Sequence, residues 1–273
     1  MQRLPAPPFS GATGLTVLGE GRYRAELGKH WAVADKAHGG MLLVLLARAG
    51  LARLDADAPG LAPDPLAIGA EFLRAPDRGS VEIHTEALKA GRTASVVALR
   101  LVQDDRLMLT ASLTAGRLPA DRPAWADLPE MPAVPPPDAV APSGPHGEIL
   151  GMAGSCELRF DPATIAFARG EQSAPVVRGW ARPVGEEADV LFALLAGDVL
   201  PPTVFNVSAR FGWAPTVQLT AFLRGHPAPG WLRIESRARA VVGTWFDEDV
   251  TVVDESGRLI CQARQLALAP LAR

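Results

Sequence analysis

In the second half of the chain, polar side chains occupy positions that are ordinarily apolar in a buried strand. In the stretch PTVQLT, strict alternation places Thr216, Gln218 and Thr220 on one face of a predicted strand. Asp198 follows an apolar helical pattern upstream, and Gln265 lies in another alternating segment near the end of the chain. A buried polar group costs about 1–3 kcal/mol when it is unpaired. We therefore expect these side chains to pair with one another or to hold a water molecule.

A second set of chemically useful residues lies at the start of a predicted helix, in His38-Gly39-Gly40. The free N–H groups and the positive end of a helix dipole favour anions, and glycine lets a ligand approach the backbone closely. The corresponding helix start in the second half reads EEAD, residues 186–189, whose carboxylates would repel a developing negative charge. We therefore expect one working site, with an oxyanion cradle from the first half and water-handling groups from the second. Its pseudo-symmetric counterpart is expected to be inactive.

The two halves of the chain resemble each other. The segment that begins at Pro65 aligns with the one that begins at Pro215, and the letters FLR of residues 72–74 align with those of residues 222–224. The polar positions of the second copy then have these counterparts in the first: Leu66, Ile68 and Ala70 opposite the three strand residues, Ala49 opposite Asp198, and Leu113 or Thr114 opposite Gln265. Polar groups in the second copy thus replace mostly apolar groups in the first.

Each copy predicts the same order of elements. A short strand contains Trp31 in the first copy and Trp180 in the second. One apolar helix follows, over residues 38 to about 54 and 189 to about 200, and long alternating strands come next. A helix followed by antiparallel strands is an α+β pattern. Because the helices are apolar on most sides, we expect each to be wrapped by sheet.

The repeat also predicts the domain organisation. An N-terminal repeat is predicted over residues 13–116, a linker over residues 117–150 and a C-terminal repeat over residues 151–273. The linker is rich in proline, which disfavours helix and central strand. Its length suits a strap that crosses from one copy to the other.

Composition excludes several classes of function. The formal charge of −3 over 273 residues gives no basic footprint for nucleic acid. The longest apolar run, Met41 to Ala47, is too short to span a bilayer, and the N-terminus has no apolar core of a signal peptide. Cys156 and Cys261 show no metal-binding spacing and are expected to be buried thiols in a reducing compartment. A cytoplasmic protein is the default expectation.

Several motifs together resemble the TesB-like acyl-CoA thioesterases. HGGMLLVLLARAG resembles the helix start of that family, and KAGRT resembles its turn between strands. LLAGDVLPP, PTVQLT and CQARQLAL resemble the segments that carry its catalytic Asp, Thr or Ser, and Gln. The resemblance covers nearly the whole chain outside the linker and the first dozen residues. It implies a double hotdog fold, with two antiparallel sheets that each wrap a central helix, and an acyl-CoA substrate. By analogy it also implies a homo-oligomer.

The resemblance implies hydrolysis of a thioester, as in fatty acid metabolism, without a metal or another cofactor. Asp198 would be the general base or would orient the water. Thr216 and Gln265 would hold the same water by hydrogen bonds. The N–H of Gly39 or Gly40 would stabilise the oxyanion, a contribution often worth about 3–4 kcal/mol for each donor.

Three further side chains are candidates for binding the substrate. His38 either positions the substrate together with the Gly39 backbone, caps the helix or packs under the linker. Gln218 and Thr220 either contact the substrate or face solvent from an edge strand, since threonine suits strands well.

Two other functions remain open at this stage. A hotdog hydratase or dehydratase would need a His with an Asp or Glu. The second-copy cluster contains no His, but His38 and Glu71 keep this alternative open. A non-catalytic acyl-thioester binding protein is the other alternative, because a fold alone does not establish activity. Addition of water to an enoyl-CoA without release of CoA would indicate the hydratase, and binding without turnover would indicate the binding protein.

Overall fold

The computed structural model describes residues 8–33, 35–142, 155–209 and 211–270. The strands within these ranges are β1 (Thr16–Gly19), β2 (Arg22–Leu27), β3 (Ala32–Val33), β4 (Lys36–Ala37), β5 (Asp64–Phe72), β6 (Gly79–Lys89), β7 (Ser95–Gln103), β8 (Arg106–Gly116), β9 (Cys156–Phe160), β10 (Val176–Pro183), β11 (Thr216–Leu223), β12 (Leu232–Val242), β13 (Trp245–Val253) and β14 (Leu259–Leu268). Alternating apolar residues form most of these strands, as the sequence predicts.

One continuous sheet contains twelve of these strands, in the order β1-β2-β6-β7-β8-β5-β11-β14-β13-β12-β10-β9. The prediction of two separate sheets is therefore wrong. The copies join where β5 pairs antiparallel with β11, with Leu219 opposite Ala70. Because each copy alone would end in an unpaired strand, this pairing satisfies the backbone groups of two edges at once. β3 and β4 form a separate two-stranded ribbon.

The helices are α1 (Phe9–Ala12), α2 (Gly39–Asp57), α3 (Val190–Ala196) and α4 (Val204–Ser208). α2 packs against β5, β6, β7 and β8, and α3 packs against β10, β11, β12 and β14. Each long apolar helix thus lies on the strands of its own copy, and α2 and α3 also contact each other. α2 is buried on nearly all sides, which confirms the expectation from its sequence.

α3 is shorter than predicted, since it ends at Ala196 and not near residue 200. Gly197 caps it, and Pro201 and Pro202 follow. Proline lacks the N–H needed to continue a helix and disfavours helical backbone in the preceding residue. A second difference concerns Trp31, which lies in a short 3-10 helix and not in a strand, whereas Trp180 lies in β10 as predicted.

The part of the proline-rich segment that the structure describes, residues 117–142, contains no helix or strand apart from an isolated bridge between Val140 and Phe160. This segment runs along the second copy. The Trp180 Nε1–H donates a hydrogen bond to the Pro132 carbonyl (2.9 Å), and the Arg233 guanidinium donates one to the Met131 carbonyl (3.0 Å). Among the described residues, no helix has the length and apolar character needed to cross a bilayer.

Candidate active site

Asp198 lies two residues beyond the end of α3, where its backbone N–H donates to the Leu195 carbonyl (3.0 Å). Its side chain points inward and is only 10% exposed. The carboxylate Oδ2 accepts a hydrogen bond from the Gly40 N–H at 2.6 Å. Burial raises the pKa of Asp198 to about 7, although the Gly40 N–H acts in the opposite direction. A carboxyl group with this pKa is suited to accept a proton near neutral pH.

The start of α2 approaches Asp198 so closely that side chains are excluded there. A Cβ atom on Gly39 would lie 2.8 Å from the Asp198 Oδ2, and one on Gly40 would lie 3.0 Å from the Asp198 Cβ and 3.2 Å from the Leu195 carbonyl oxygen. The helix end predicted to receive an anion therefore receives a carboxylate of the same chain. Because the Gly40 N–H donates to Asp198, it is not the free oxyanion donor that the sequence suggested.

His38 is the residue that immediately precedes α2, and its carbonyl accepts from the Leu42 N–H (3.1 Å). Its imidazole makes no capping hydrogen bond. Instead, its Nδ1 lies 3.8 Å from the Asp198 Oδ2. Burial lowers the pKa of His38 to about 4, against a raising effect of Asp198. The imidazole is therefore neutral at neutral pH, and its contact with Asp198 is not an ion pair.

Thr216 and Gln265 pair directly on the inner side of the sheet. The Thr216 hydroxyl donates a hydrogen bond to the Gln265 Oε1 at 2.8 Å. Gln265 alternates with the buried residues Ala263 and Ala267 of β14. Thr216 reaches the same face because the register of β11 shifts between Thr216 and Gln218, which leaves Val217 as the extra residue of a bulge.

The bulge separates Thr216 from the two other polar residues of its strand. Leu219, Ala221 and Leu223 are buried on the inner face, so Gln218 and Thr220 lie on the outer face. There the Gln218 Nε2 donates to the Thr220 Oγ1 at 2.7 Å. The expectation that the three residues share a face is wrong, because strict alternation does not hold across a bulge. Gln218 and Thr220 are absent from the lining of the cavity described below.

The observed register also corrects the alignment of the two copies. β5 has a matching irregularity between Pro65 and Ala67, which sets Leu66 opposite Val217 in the repeat. Thr216 then corresponds to Pro65 and not to Leu66, which was its counterpart when the letters FLR of the two copies were aligned. Ile68 pairs with Leu113 in the first copy as Leu219 pairs with Gln265 in the second. Of the two counterparts left open for Gln265, the register thus selects Leu113.

Glu248 is a site residue that the sequence analysis missed. It lies on β13 and is 2% exposed. Its Oε1 accepts from the Gln265 Nε2 at 2.5 Å, and its Oε2 accepts from the Thr203 N–H at 2.9 Å and from the Thr203 Oγ1 at 2.7 Å. Burial raises its pKa against the lowering effect of these three donors, and the nearby Asp198 raises it further. Its place in the alternation of Phe246, Val250 and Val252 is the signal that could have identified it.

Asp198, His38, Thr216 and Gln265 border one cavity of about 670 Å³. Its polar lining comprises His38, Arg74, Asp198, Thr216 and Gln265, and Gly39 borders it at the start of α2. Its apolar walls combine aliphatic and proline residues with the aromatic side chains of Phe72, Phe205, Phe211, Trp213 and Phe246. Glu71, which was considered as a partner for His38, is exposed on the outer side of the sheet opposite Gln218. The cavity therefore combines a small polar cluster from both copies with an apolar chamber of the kind that holds small-molecule ligands.

Two family models match most of the chain. The acyl-CoA thioesterase N-terminal domain matches residues 27–116, and the acyl-CoA thioesterase C-terminal domain matches residues 126–269. An uncharacterised protein of Mycobacterium tuberculosis is 40% identical over 268 residues, which cover 91% of each chain.

Solved structures agree with the family models. A candidate thioesterase II from Thermobifida fusca is 34% identical, superposes with a TM-score of 0.83 and is matched over 98% of this chain and 100% of that one. A protein of unknown function with a hotdog fold from Alicyclobacillus acidocaldarius is 21% identical, with a TM-score of 0.80 and coverage of 97% and 98%. The second similarity supports the hotdog fold alone.

Proposed function

This chain belongs to the acyl-CoA thioesterase family, and we propose that it hydrolyses an acyl-CoA thioester to the free acid and CoA. One observation carries the proposal. The Asp198 carboxyl, whose pKa is raised to about 7, borders the same cavity as the Thr216–Gln265 pair and the glycine start of α2. A base, a second anchor for a water molecule and a site of positive potential are the parts that hydrolysis of a thioester requires.

In the proposed reaction, a water molecule lies between Asp198 and Thr216. The ionised Asp198 takes a proton from this water as the water oxygen attacks the carbonyl carbon of the thioester. The carbon–sulfur bond then breaks, and the departing thiolate receives the proton held by Asp198, so the products are a carboxylic acid and the free thiol. No covalent intermediate with the enzyme forms.

The oxyanion would be stabilised at the start of α2. The first N–H groups of a helix have no partner within the helix. Gly40 donates its N–H to Asp198, whereas the Gly39 backbone borders the cavity. In this proposal Gly39 therefore supplies the oxyanion donor, and the Gly40 N–H holds the base in place. The acyl group occupies the aromatic part of the cavity.

The position of His38 favours one second candidate, an enoyl-CoA hydratase-like activity. The imidazole lies 3.8 Å from the Asp198 carboxylate, which is the His and Asp combination that such chemistry needs. The family match favours hydrolysis, because both halves of the chain match thioesterase domains.

The proposal is tested with a panel of acyl-CoA esters from acetyl to palmitoyl, together with phenylacetyl-, benzoyl- and enoyl-CoA. Release of thiol is followed for the wild type and for Asp198→Ala. Thiol release that disappears in a folded Asp198→Ala variant is expected. Water addition to enoyl-CoA without free CoA would indicate the hydratase instead. Binding of the esters without turnover, unchanged by the substitution, would indicate a binding protein.

A further inference from the structure

A chain of four hydrogen-bonded residues leads from the cavity through the buried carboxyl group of Glu248 to Thr203. Thr203 donates both its N–H and its hydroxyl to the Glu248 Oε2, and the Gln265 Nε2 donates to the Glu248 Oε1. Gln265 in turn accepts from the Thr216 hydroxyl. Thr203 and Glu248 do not border the cavity, so neither contacts a ligand there, and Glu248 reaches the site through its hydrogen bond to Gln265 and through its charge interaction with Asp198.

The direction of these hydrogen bonds matters for the water molecule. The amide of Gln265 has one donating end and one accepting end, and its shape alone does not determine which end faces Thr216. Both oxygens of Glu248 accept hydrogen bonds, Oε2 from Thr203 and Oε1 from the Gln265 Nε2. Glu248 therefore holds the NH₂ of Gln265 on its own side and leaves the carbonyl oxygen facing Thr216. The Thr216 hydroxyl proton is thereby directed to Gln265 and away from the cavity.

We infer that Glu248 is a positioning residue, which makes Thr216 an acceptor towards the attacking water by fixing the orientation of the Gln265 amide. A nucleophilic water must give its two protons to acceptors so that a lone pair is free to attack. Asp198 is one acceptor, and Thr216 is the other only if its own proton is bound to Gln265. This inference rests on the proposed hydrolysis.

The sequence offers an independent argument for this role. Glu248 occupies a position of β13 whose inward-facing neighbours, Phe246, Val250 and Val252, are all apolar and buried. An ionised group is costly to bury unless it is fully hydrogen-bonded. The matching position to Gln265 in the first copy is the apolar Leu113. Glu248 and the Gln265 amide that it orients therefore both belong to the second copy, and this is the copy that contributes the amide to the cavity.

Glu248→Gln tests this inference because it keeps the shape of the side chain and reverses one hydrogen bond. Thr203 holds the carbonyl oxygen of the new amide, so its NH₂ must face Gln265, whose amide must then turn over. The NH₂ of Gln265 would face Thr216, and the Thr216 proton would point at the water. We expect kcat to fall by about 30- to 100-fold, with KM within about threefold of the wild type.

The double variant E248Q/Q265E is the matched control. The amide introduced at position 248 then donates to the carboxylate introduced at position 265. That carboxylate accepts from Thr216, so every hydrogen bond among the three side chains again directs the Thr216 proton away from the cavity. We expect this variant to recover at least about tenfold in kcat over E248Q, with each enzyme measured at its own optimal pH. A role for Glu248 that is only structural would not produce this recovery in variants of equal thermal stability.

The outcomes distinguish the inference from the function on which it rests. A folded E248Q with kcat within about threefold of the wild type would overturn the inference while Asp198-dependent hydrolysis stands. If E248Q does not fold, the double variant decides, and a folded but inactive double variant would also overturn it. A wild type without Asp198-dependent thiol release would overturn the proposed function and the inference together.

Discussion

At the scale of single residues, the proposed mechanism depends on the protonation state of Asp198. Burial favours the neutral form of this carboxyl, whereas the Gly40 N–H favours the anion, and the result is a pKa of about 7. His38 is held neutral beside it by its own burial. In the proposed mechanism, burial and the Gly40 N–H together therefore set the pKa at which Asp198 can act as a base.

The first prediction concerns the pH dependence of turnover. Because the proposed reaction needs the ionised form of Asp198, we expect kcat/KM to rise with pH, with an apparent pKa of about 7, and to reach a plateau above it. Initial rates measured on one acyl-CoA ester from about pH 5 to pH 9 would test this. A rate that stays constant from pH 5 to pH 8 would contradict the assignment of Asp198 as the base.

The second prediction concerns stability. The pKa of Asp198 is higher in the folded protein than its ordinary value of 3.8. The neutral form of Asp198 therefore stabilises the folded state fully below about pH 3.8. This stabilisation is lost as pH rises through about 7. Asp198→Asn removes the buried charge and keeps an acceptor for Gly40. We expect it to raise the free energy of unfolding at pH 8 by on the order of 2 kcal/mol, and by less at pH 5.

Urea unfolding of the wild type and Asp198→Asn at the two pH values measures this difference. A variant that is less stable than the wild type at pH 8 would show that the hydrogen bond from Gly40 outweighs the cost of burying the charge. An increase in the free energy of unfolding on replacing Asp198 is what we expect of a residue that serves the proposed reaction at a cost in stability.

At the scale of elements, two local features position the site: the glycine start of α2 and the bulge in β11. The third prediction tests the first of them. In Gly39→Ala the new Cβ would lie 2.8 Å from the Asp198 Oδ2, so the carboxylate must move. We expect kcat to fall by about 10- to 100-fold, because small displacements of a reacting group are costly.

Gly28→Ala is the matched control for this variant. Gly28 has a negative φ of −80°, and nothing lies within 4 Å of a Cβ placed on it. We expect its kcat and thermal stability to remain those of the wild type. Equal activity in the two alanine variants would show that the close approach of Gly39 to Asp198 has no role in turnover.

The sequence predicts these elements better than it predicts their details. Period and composition identify the two apolar helices and most of the strands, but of the three polar residues expected on one face of β11 only Thr216 borders the cavity. Period and composition do not reveal the bulge at Val217, because one extra residue leaves the local pattern of side chains nearly unchanged while it reverses the face of Thr216. For the same reason, the FLR letters align Phe72 with Phe222, although Phe72 borders the cavity and Phe222 lies on the outer face.

Glu248 was missed for a different reason. A single acidic residue between Asp247 and Asp249 resembles part of a solvated charged run. Only the pairing of β13 with β14 shows that it faces Gln265 from inside the sheet. The inward position could be inferred from alternation, but its partner depends on strand order, which local sequence does not determine.

At the scale of the whole molecule, two similar copies form one asymmetric site. At the start of α3, the helix of the second copy, a backbone N–H group already has a partner, since the Asp189 side chain accepts from the Phe192 N–H at 2.7 Å. Leu113 and Pro65 stand where the second copy has Gln265 and Thr216. These features support the expectation that the pseudo-symmetric counterpart is inactive.

The fourth prediction follows from the continuous sheet. β5 and β11 join the copies, and α2 contacts α3, so the two halves are expected to unfold together. Leu219→Ala, in the strand at the junction, should lower the free energy of unfolding by about 2–4 kcal/mol and shift one calorimetric transition without splitting it. Leu88, which is 58% exposed, provides the control, and Leu88→Ala should change stability by less than about 0.5 kcal/mol. Two separate transitions would show that the copies fold independently.

The most direct test of the whole account is kcat for thioester hydrolysis by Asp198→Asn beside Asp64→Asn. Asp64 is also buried and accepts from the Leu118 N–H at 2.9 Å, but it does not border the cavity. We predict that Asp198→Asn loses at least about 100-fold in kcat while it remains folded, and that Asp64→Asn, when folded, keeps the activity of the wild type. A folded Asp198→Asn variant with kcat within about threefold of the wild type would contradict the central claim.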